Sequence, residues 1–466
     1  MKSCLSVRAL AGVSVLSLSG LWASVTLAEG PTRGFDRGKL NIGAYYLSEK
    51  AQTEDHVRDV RDCGVDFLVS MSGGAQMRKT YDLLHKYGIG AFVILTSPYW
   101  SEALHLAGKD IAQVLPLEKW IRNAERHVLR SHPAVWGYDL GDEPGAASFP
   151  FYGEVVRAIR EKCPEKALYL NLYPNCVPKA DARQDPDKPN VFWGADTYEE
   201  YIGRFCESVP LDYVCYDFYL YRQPERRIPL SYENMRTVSE ACRRHGRDFW
   251  TVLQVNSSEK GSPTSVARLR FQAYQAMAYG ATTLLWACYS PGWWHHNVLT
   301  KDGEKTGQYE RLRQVNGEIH AFGRQYMRFR TVETALVGDF GAKGALFRPP
   351  REGVLQKGEK AGTTPVSQRF SNGIVRDLRA ADGKALIVGD MVGRADKACR
   401  AVFVCAADDP MEASPCAREL VFGVADGFRV GAMGVGGKLR AERGKDGLFR
   451  LPLRSSEGVF VAFRPE

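Results

Sequence analysis

Tyr232-Glu-Asn-Met-Arg-Thr-Val-Ser-Glu-Ala-Cys-Arg-Arg-His-Gly246-Arg-Asp-Phe-Trp-Thr-Val-Leu-Gln254 is one full phrase of a repeating pattern. An amphipathic helical stretch runs from Tyr232 to His245, Gly246 ends it, and an apolar run from Asp248 to Gln254 reads as a strand. The phrase recurs from Lys39 to about Met327. Further strands are expected at Leu40 to Leu47, Val65 to Met71, Ile89 to Thr96, Ala134 to Leu140, Ala167 to Leu172, Leu211 to Asp217 and Ala281 to Cys288. Helical patterns fall near Glu54 to Cys63, Gln76 to Tyr87, Glu118 to Arg130, Phe151 to Lys162, Tyr198 to Ser208 and Val266 to Tyr279, and Gln308 to Met327 closes the series. Gly64, Gly88, Gly246 and Gly280 each stand just past a helix and before a strand, as helix stops rather than a phosphate cradle. Eight strand-then-helix units imply an α/β protein with a (β/α)8 TIM barrel; a doubly wound sheet is the alternative.

Beyond Arg328 the texture changes to short apolar or alternating runs divided by Asn372-Gly373, Asp382-Gly383, Asp426-Gly427 and Asp446-Gly447. Such dipeptides make tight turns, so a small C-terminal antiparallel β domain is expected. Gly431-Ala-Met-Gly434-Val-Gly436-Gly437 precedes no helix and reads as a turn, not a nucleotide loop. Arg348 to Gln368, rich in Pro, Gly, Lys and Glu, reads as a loop.

The 466 residues, 44% hydrophobic and 25% charged, have the composition of a soluble globular protein, and disorder and small disulfide scaffolds are excluded. Residues 1–28 resemble a secretory signal: Lys2, an apolar stretch from Ala9 to Leu21, then small residues to Ala28. The expected division is therefore a leader of residues 1–28, a barrel over 29–330 and a β-sandwich-like domain over 331–466, in a secreted or periplasmic protein with no membrane span once the leader is removed. Without Lys2 and Arg8 the net charge falls from +8 to +6, too little and too dispersed for nucleic acid. No Cys-x-x-Cys pair occurs, Cys215 and Cys288 lie in apolar runs, and Cys163, Cys176, Cys399, Cys405 and Cys416 lie nearer loops. Adjacent His295 and His296 lack a third ligand at recognisable spacing, so neither a metal nor a cofactor is expected.

In such barrels chemistry collects at the C-terminal ends of the strands. Those ends carry Tyr45-Tyr46, Trp100, Asp139-Leu-Gly-Asp142-Glu143-Pro144, Asn171-Leu-Tyr173, Tyr216-Asp217-Phe-Tyr219, Gln254-Val-Asn256, and Trp286 through Tyr289 to Trp293-Trp294. Aromatic faces beside carboxylates and amides suit a sugar ring, which presents apolar C–H faces and a fringe of hydroxyls. A Glu just past an apolar strand, beside Asp142 and Asp139, can hold its proton to high pH as a general acid does; helix capping is the bland reading of the same residues.

With that Asp142-Glu143-Pro144 turn, Lys39 to about Met327 resembles the large clan of retaining (β/α)8 glycoside hydrolases, including family 42 β-galactosidases and cellulase-like families. The Gly-Asp-Glu-Pro turn and Tyr274-Gln-Ala-Met-Ala-Tyr279-Gly-Ala bring it nearest to exported bacterial barrels. The resemblance implies that Glu143 is the acid/base, with Asp142 where the clan has Asn. The clan's nucleophile is a Glu ending strand 7, and here Gln254 holds that place; an amide cannot form a glycosyl ester. Asp217 is the favoured second carboxylate, ahead of Asp139 and Glu259, as nucleophile or as base. Tyr45, Trp100, Asp142, Asn171, Tyr219, Gln254, Trp286, Tyr289 and Trp293 are the expected substrate contacts. A glycoside hydrolase is thus expected, and a carbohydrate-binding barrel without catalysis is the alternative.

Overall fold

The eight apolar runs form β1 (Asn41–Tyr45), β2 (Phe67–Met71), β3 (Gly90–Ile94), β4 (Val135–Asp142), β5 (Ala167–Asn171), β6 (Tyr213–Phe218), β7 (Asp248–Gln254) and β8 (Ala281–Ala287). Each leads to one main helix: α1 (Glu54–Asp62), α2 (Arg78–Lys86), α3 (Leu117–Glu125), α4 (Phe149–Lys162), α5 (Tyr198–Ser208), α6 (Pro224–His245), α7 (Val266–Ala278) and α8 (Gly307–Tyr326). The computed structural model describes residues 34–96, 109–177, 190–257, 262–292, 294–340, 366–407 and 417–466. The expected leader, Cys416, and most of the loop from Arg348 lie outside them. Among the described residues no helix is long and apolar enough to cross a membrane.

The strands hydrogen-bond in the order β5-β4-β3-β2-β1-β8-β7-β6, all in parallel, which is the (β/α)8 barrel and excludes the doubly wound sheet. The seam between β5 and β6 closes differently. A single parallel bridge joins Leu172 to Tyr216, and the Tyr213 hydroxyl donates to Leu168 O at 2.9 Å and accepts from Leu170 N at 3.0 Å. A side chain here replaces part of a backbone ladder. Aromatic rings fill the end of the barrel at which the strands start: Phe35 lies 5.6 Å from Phe67 and 4.9 Å from Trp250, and Trp250 stacks on Tyr213 at 3.8 Å. Such pairs add ~0.5–1.5 kcal/mol each beyond the area they bury.

Helix α6 differs from expectation by starting at Pro224 rather than Tyr232. Pro229 sits inside it and interrupts the sequence signal, since proline lacks the N–H of an interior turn. Burial of Ile228, Leu230 and Tyr232 carries the helix past that defect. Gly246 ends α6 at φ 64°, with its N–H on Cys242 O, and Gly64, Gly88 and Gly280 also adopt positive φ.

From β9 (Phe329–Val337) onward the chain builds two further sheets, with β10 (Val366–Ser367), β11 (Val375–Ala380), β12 (Leu386–Gly393), β13 (Arg400–Ala406), β14 (Ala417–Val424), β15 (Phe428–Gly434), β16 (Gly437–Leu439), β17 (Glu442–Arg443), β18 (Phe449–Arg454) and β19 (Gly458–Pro465). One has the order β10-β9-β12-β13-β19-β15-β16, the other β11-β14-β18-β17. Their facing residues, among them Val388, Val404 and Val461 on one side and Leu378, Phe422 and Leu451 on the other, make a single apolar core. The pairing is antiparallel except for the two-residue contact of β10 with β9. The Gly-rich stretch is the β15–β16 hairpin, Gly434 facing Gly437. The opposite face of the larger sheet meets the barrel through Phe403, whose ring lies 6.0 Å from Tyr274 and 5.4 Å from Phe322.

Cys63, Cys163, Cys206, Cys215, Cys242, Cys288 and Cys399 are free thiols. Cys405 corrects its loop placement, lying fully buried within β13.

Candidate active site

Alternate residues of a strand share a face, so β6 aims Tyr213, Cys215 and Asp217 into the barrel in ascending layers. The same holds for Tyr169 and Asn171 on β5. Tyr45 enters from β1, and its hydroxyl meets that of Tyr169 at 2.8 Å. Cys215 touches both the Tyr169 hydroxyl and Asn171 Oδ1, at 3.8 and 3.6 Å. These groups form the floor beneath the strand-end carboxylates.

Asn171 organises the layer above. Its Nδ2 donates to Asp142 Oδ1 at 2.9 Å and to Asp217 Oδ1 at 3.1 Å, so one amide ties β4, β5 and β6 together across the weak seam. Its backbone carbonyl accepts from Glu143 N at 2.9 Å. Glu143 stands just past β4 at φ 49°, a region non-glycine residues enter at a cost of about 1–3 kcal/mol when bulky. Pro144 behind it is held by the Tyr201 hydroxyl, which donates to Pro144 O at 2.8 Å. The strained turn delivers the Glu143 carboxyl to Asp217, with which it shares a hydrogen bond, and the Tyr219 hydroxyl donates to Asp217 as well. Two carboxyl groups can hydrogen-bond to each other only if one carries a proton. Burial pushes Asp217 above the usual carboxylate range, partly offset by the hydrogen bonds from Asn171, Glu143 and Tyr219. Trp294 packs edge-on against Tyr219 at 4.8 Å, at φ 74°, and supplies an aromatic wall next to the pair.

One layer lower, Asp139 is 2% exposed with no cation beside it. Ser70 Oγ donates to it at 2.8 Å and Gly141 N at 3.0 Å, and burial raises its pKa to about 7. Burial, and then the charge of Asp142, raise Tyr45 well above the usual phenol.

The structure thus brings together Glu143, Asp217, Asp142, Asn171, Tyr219 and Tyr45. It does not bring in three of the expected contacts. Trp286 turns outward, its indole N–H on Asn316 Oδ1 of α8 at 2.8 Å. Tyr289 is fully buried and lies toward Cys63, Asp59 and Tyr309 of the helix layer. Gln254 is 0% exposed and its amide is spent, accepting from Tyr221 N at 2.9 Å and donating to Asn256 O at 2.9 Å. Trp100, Trp293 and Glu259 lie outside the described residues. Tyr169 and Tyr201 were not singled out from sequence, and Trp294 was named at the end of strand 8 but not among the expected contacts. Tyr169 was detectable, because it stands two residues before Asn171 and so shares its face. A separate cavity of about 490 Å³ is lined by His296, Asn297, Lys301 and Arg311 among others. Among the described residues no group of three or more His, Cys, Asp or Glu could hold a metal ion.

No protein-family model matches the chain, and no curated protein matches it. Solved structures similar to it include a β-galactosidase from the psychrophilic Marinomonas ef1, at 12% identity and TM-score 0.43, covering 62% of this chain and 61% of that one, less than two thirds of its length. Another is a glycoside hydrolase family 30 subfamily 8 xylanase from Clostridium acetobutylicum, at 11% identity and TM-score 0.44, covering 91% of this chain and 96% of that one. A family 5 mannosidase from Rhizomucor miehei matches at 11% identity and TM-score 0.43, over 64% of this chain and 98% of that one. The barrel assignment itself stands on the strand order of the chain.

Proposed function

We propose that the protein is an exported glycoside hydrolase that cleaves a glycosidic bond of a polysaccharide or glycan. Glu143 is the proton donor and Asp217 the nucleophile. The observation that carries this reading is the hydrogen bond between the two carboxyl groups at the strand-end rim. A pair sharing one proton starts with one acid and one base, the division of labour that glycoside cleavage needs. The contact is far closer than the about 6.5–9.5 Å that leaves room for a water-activating base, and lies nearer the about 5–5.5 Å of retaining enzymes. In the first step Asp217 attacks the anomeric carbon while the bond to the leaving oxygen breaks, and Glu143 gives that oxygen its proton. In the second, water adds to the anomeric carbon, the ester to Asp217 breaks, and Glu143 takes the proton of the water. Tyr219 and Trp294 offer the sugar an aromatic face.

The test is proton NMR of the first product anomer on glycans the protein hydrolyses. Retention of configuration is expected, and inversion would overturn Asp217 as nucleophile. The second reading, binding without cleavage, rests on Gln254 at the end of β7; it requires glycan binding by calorimetry with no sugar released on long incubation.

Asn171→Ala is expected to lower kcat on the same substrate about 10²-fold with little change in KM, because the residue positions the carboxylates rather than the sugar. Its hydrogen bond favours ionised Asp217, so removing it raises the pKa of Asp217. The acid limb of the kcat/KM profile should therefore move to higher pH. An unmoved limb would assign Asn171 a purely structural part.

A further inference from the structure

At the other end of the barrel, where the strands begin, a cavity of about 190 Å³ opens beside the β domain. Four arginines line it: Arg243 from the last turn of α6, Arg247 between α6 and β7, Arg330 from β9, and Arg394 just past β12. None of them forms an ion pair with a carboxylate among the described residues, and the acid that also lines the cavity, Asp248, is engaged by Arg37 at 2.8 and 2.9 Å. Glu240 and Glu333 lie within electrostatic reach of Arg243 without pairing with it. The Tyr279 hydroxyl, on a residue 3% exposed that lines the same cavity, has no hydrogen-bond partner among the described residues.

The guanidinium groups are only partly committed. Arg243 Nη1 donates to Ser239 Oγ at 2.5 Å, Arg247 donates to Cys206 O and Val209 O, and Arg394 Nε donates to Phe329 O at 3.0 Å. Each guanidinium has five N–H donors, so several remain. Four like charges around one small space repel unless an anion joins them. A volume of this size equals roughly six waters, enough for a tetrahedral oxyanion with part of its hydration.

We propose that this cavity binds a multiply charged tetrahedral oxyanion, phosphate or sulfate, held by Arg243, Arg247, Arg330 and Arg394 at the junction of barrel and β domain. The site is independent of the carboxyl pair and of its chemistry.

Calorimetric titration of the full chain with inorganic phosphate, and separately with sulfate, in chloride buffer of matched ionic strength tests it. One saturable site is expected for at least one anion, and which anion binds names the ligand. Arg243→Gln and Arg394→Gln should each weaken binding about tenfold, as loss of a charged hydrogen bond does. Arg394 lies on the surface, so its variant keeps the test open if Arg243→Gln does not fold. The wild-type melting temperature should also rise with the bound anion above its value in chloride. No saturable heat with either anion, or unchanged affinity in both variants, overturns the proposal.

Discussion

If Glu143 is the proton donor as proposed, Glu143→Gln is expected to lower kcat/KM on a glycan with a poor leaving group by about 10³-fold, the size of a general acid's contribution. The loss is much smaller on an aryl glycoside whose phenolate departs without a proton. Gln keeps the shape of the side chain and its place at φ 49°, so the comparison isolates the proton. Parallel steady-state measurements on the two substrate types check it. Equal losses on both would remove Glu143 from the acid role, and unchanged turnover would remove it from the mechanism.

Asp139→Asn has its largest effect on stability. Burial raises the pKa of Asp139 to about 7 in the folded chain, against 3.8 for a free aspartate, so between those values the unfolded chain has released a proton that the folded chain keeps. Stability from this group is complete below the lower value and is lost as pH rises to about 7. At ~1.4 kcal/mol per unit, that is about 4 kcal/mol over the window, integrated by linkage. Asn stays neutral, and its amide can donate to Ser70 Oγ while its oxygen still accepts from Gly141 N. Urea unfolding at pH 4 and pH 8 should therefore show the variant gaining about 4 kcal/mol relative to wild type at the higher pH. A pH-independent difference between the two proteins would mean that Asp139 is ionised throughout.

Much of the architecture was legible because it rests on local rules. Strand β7 and helix α5 span Asp248–Gln254 and Tyr198–Ser208 as read from periodicity, and the turn dipeptides marked the β domain because tight hairpins need residues that tolerate positive φ. Proline inside α6 broke the pattern, and only burial of its flanks restored it. The candidate site was legible in part. Asp142-Glu143-Pro144 stood out as charge at the end of an apolar run, and Asp217 did so on β6.

Direction was the hidden quantity. Barrel strands are apolar on both faces, so alternation does not reveal which residues face the axis. Trp286 therefore looked like a rim residue while it points to Asn316 of α8, and Gln254 looked available while Tyr221 N and Asn256 O consume its amide.

The sequence by itself determined the eight strand-then-helix units, the change to β structure after Arg328, and the strand-end turn that carries Glu143. All of these depend on residues near one another in the chain. Only the tertiary structure decided that Glu143 meets Asp217, that Asn171 ties Asp142 to Asp217 across the β5–β6 seam, and that four arginines converge beneath the barrel. Those contacts join segments far apart in sequence, and they are set by the closure of the barrel rather than by any local preference of the chain.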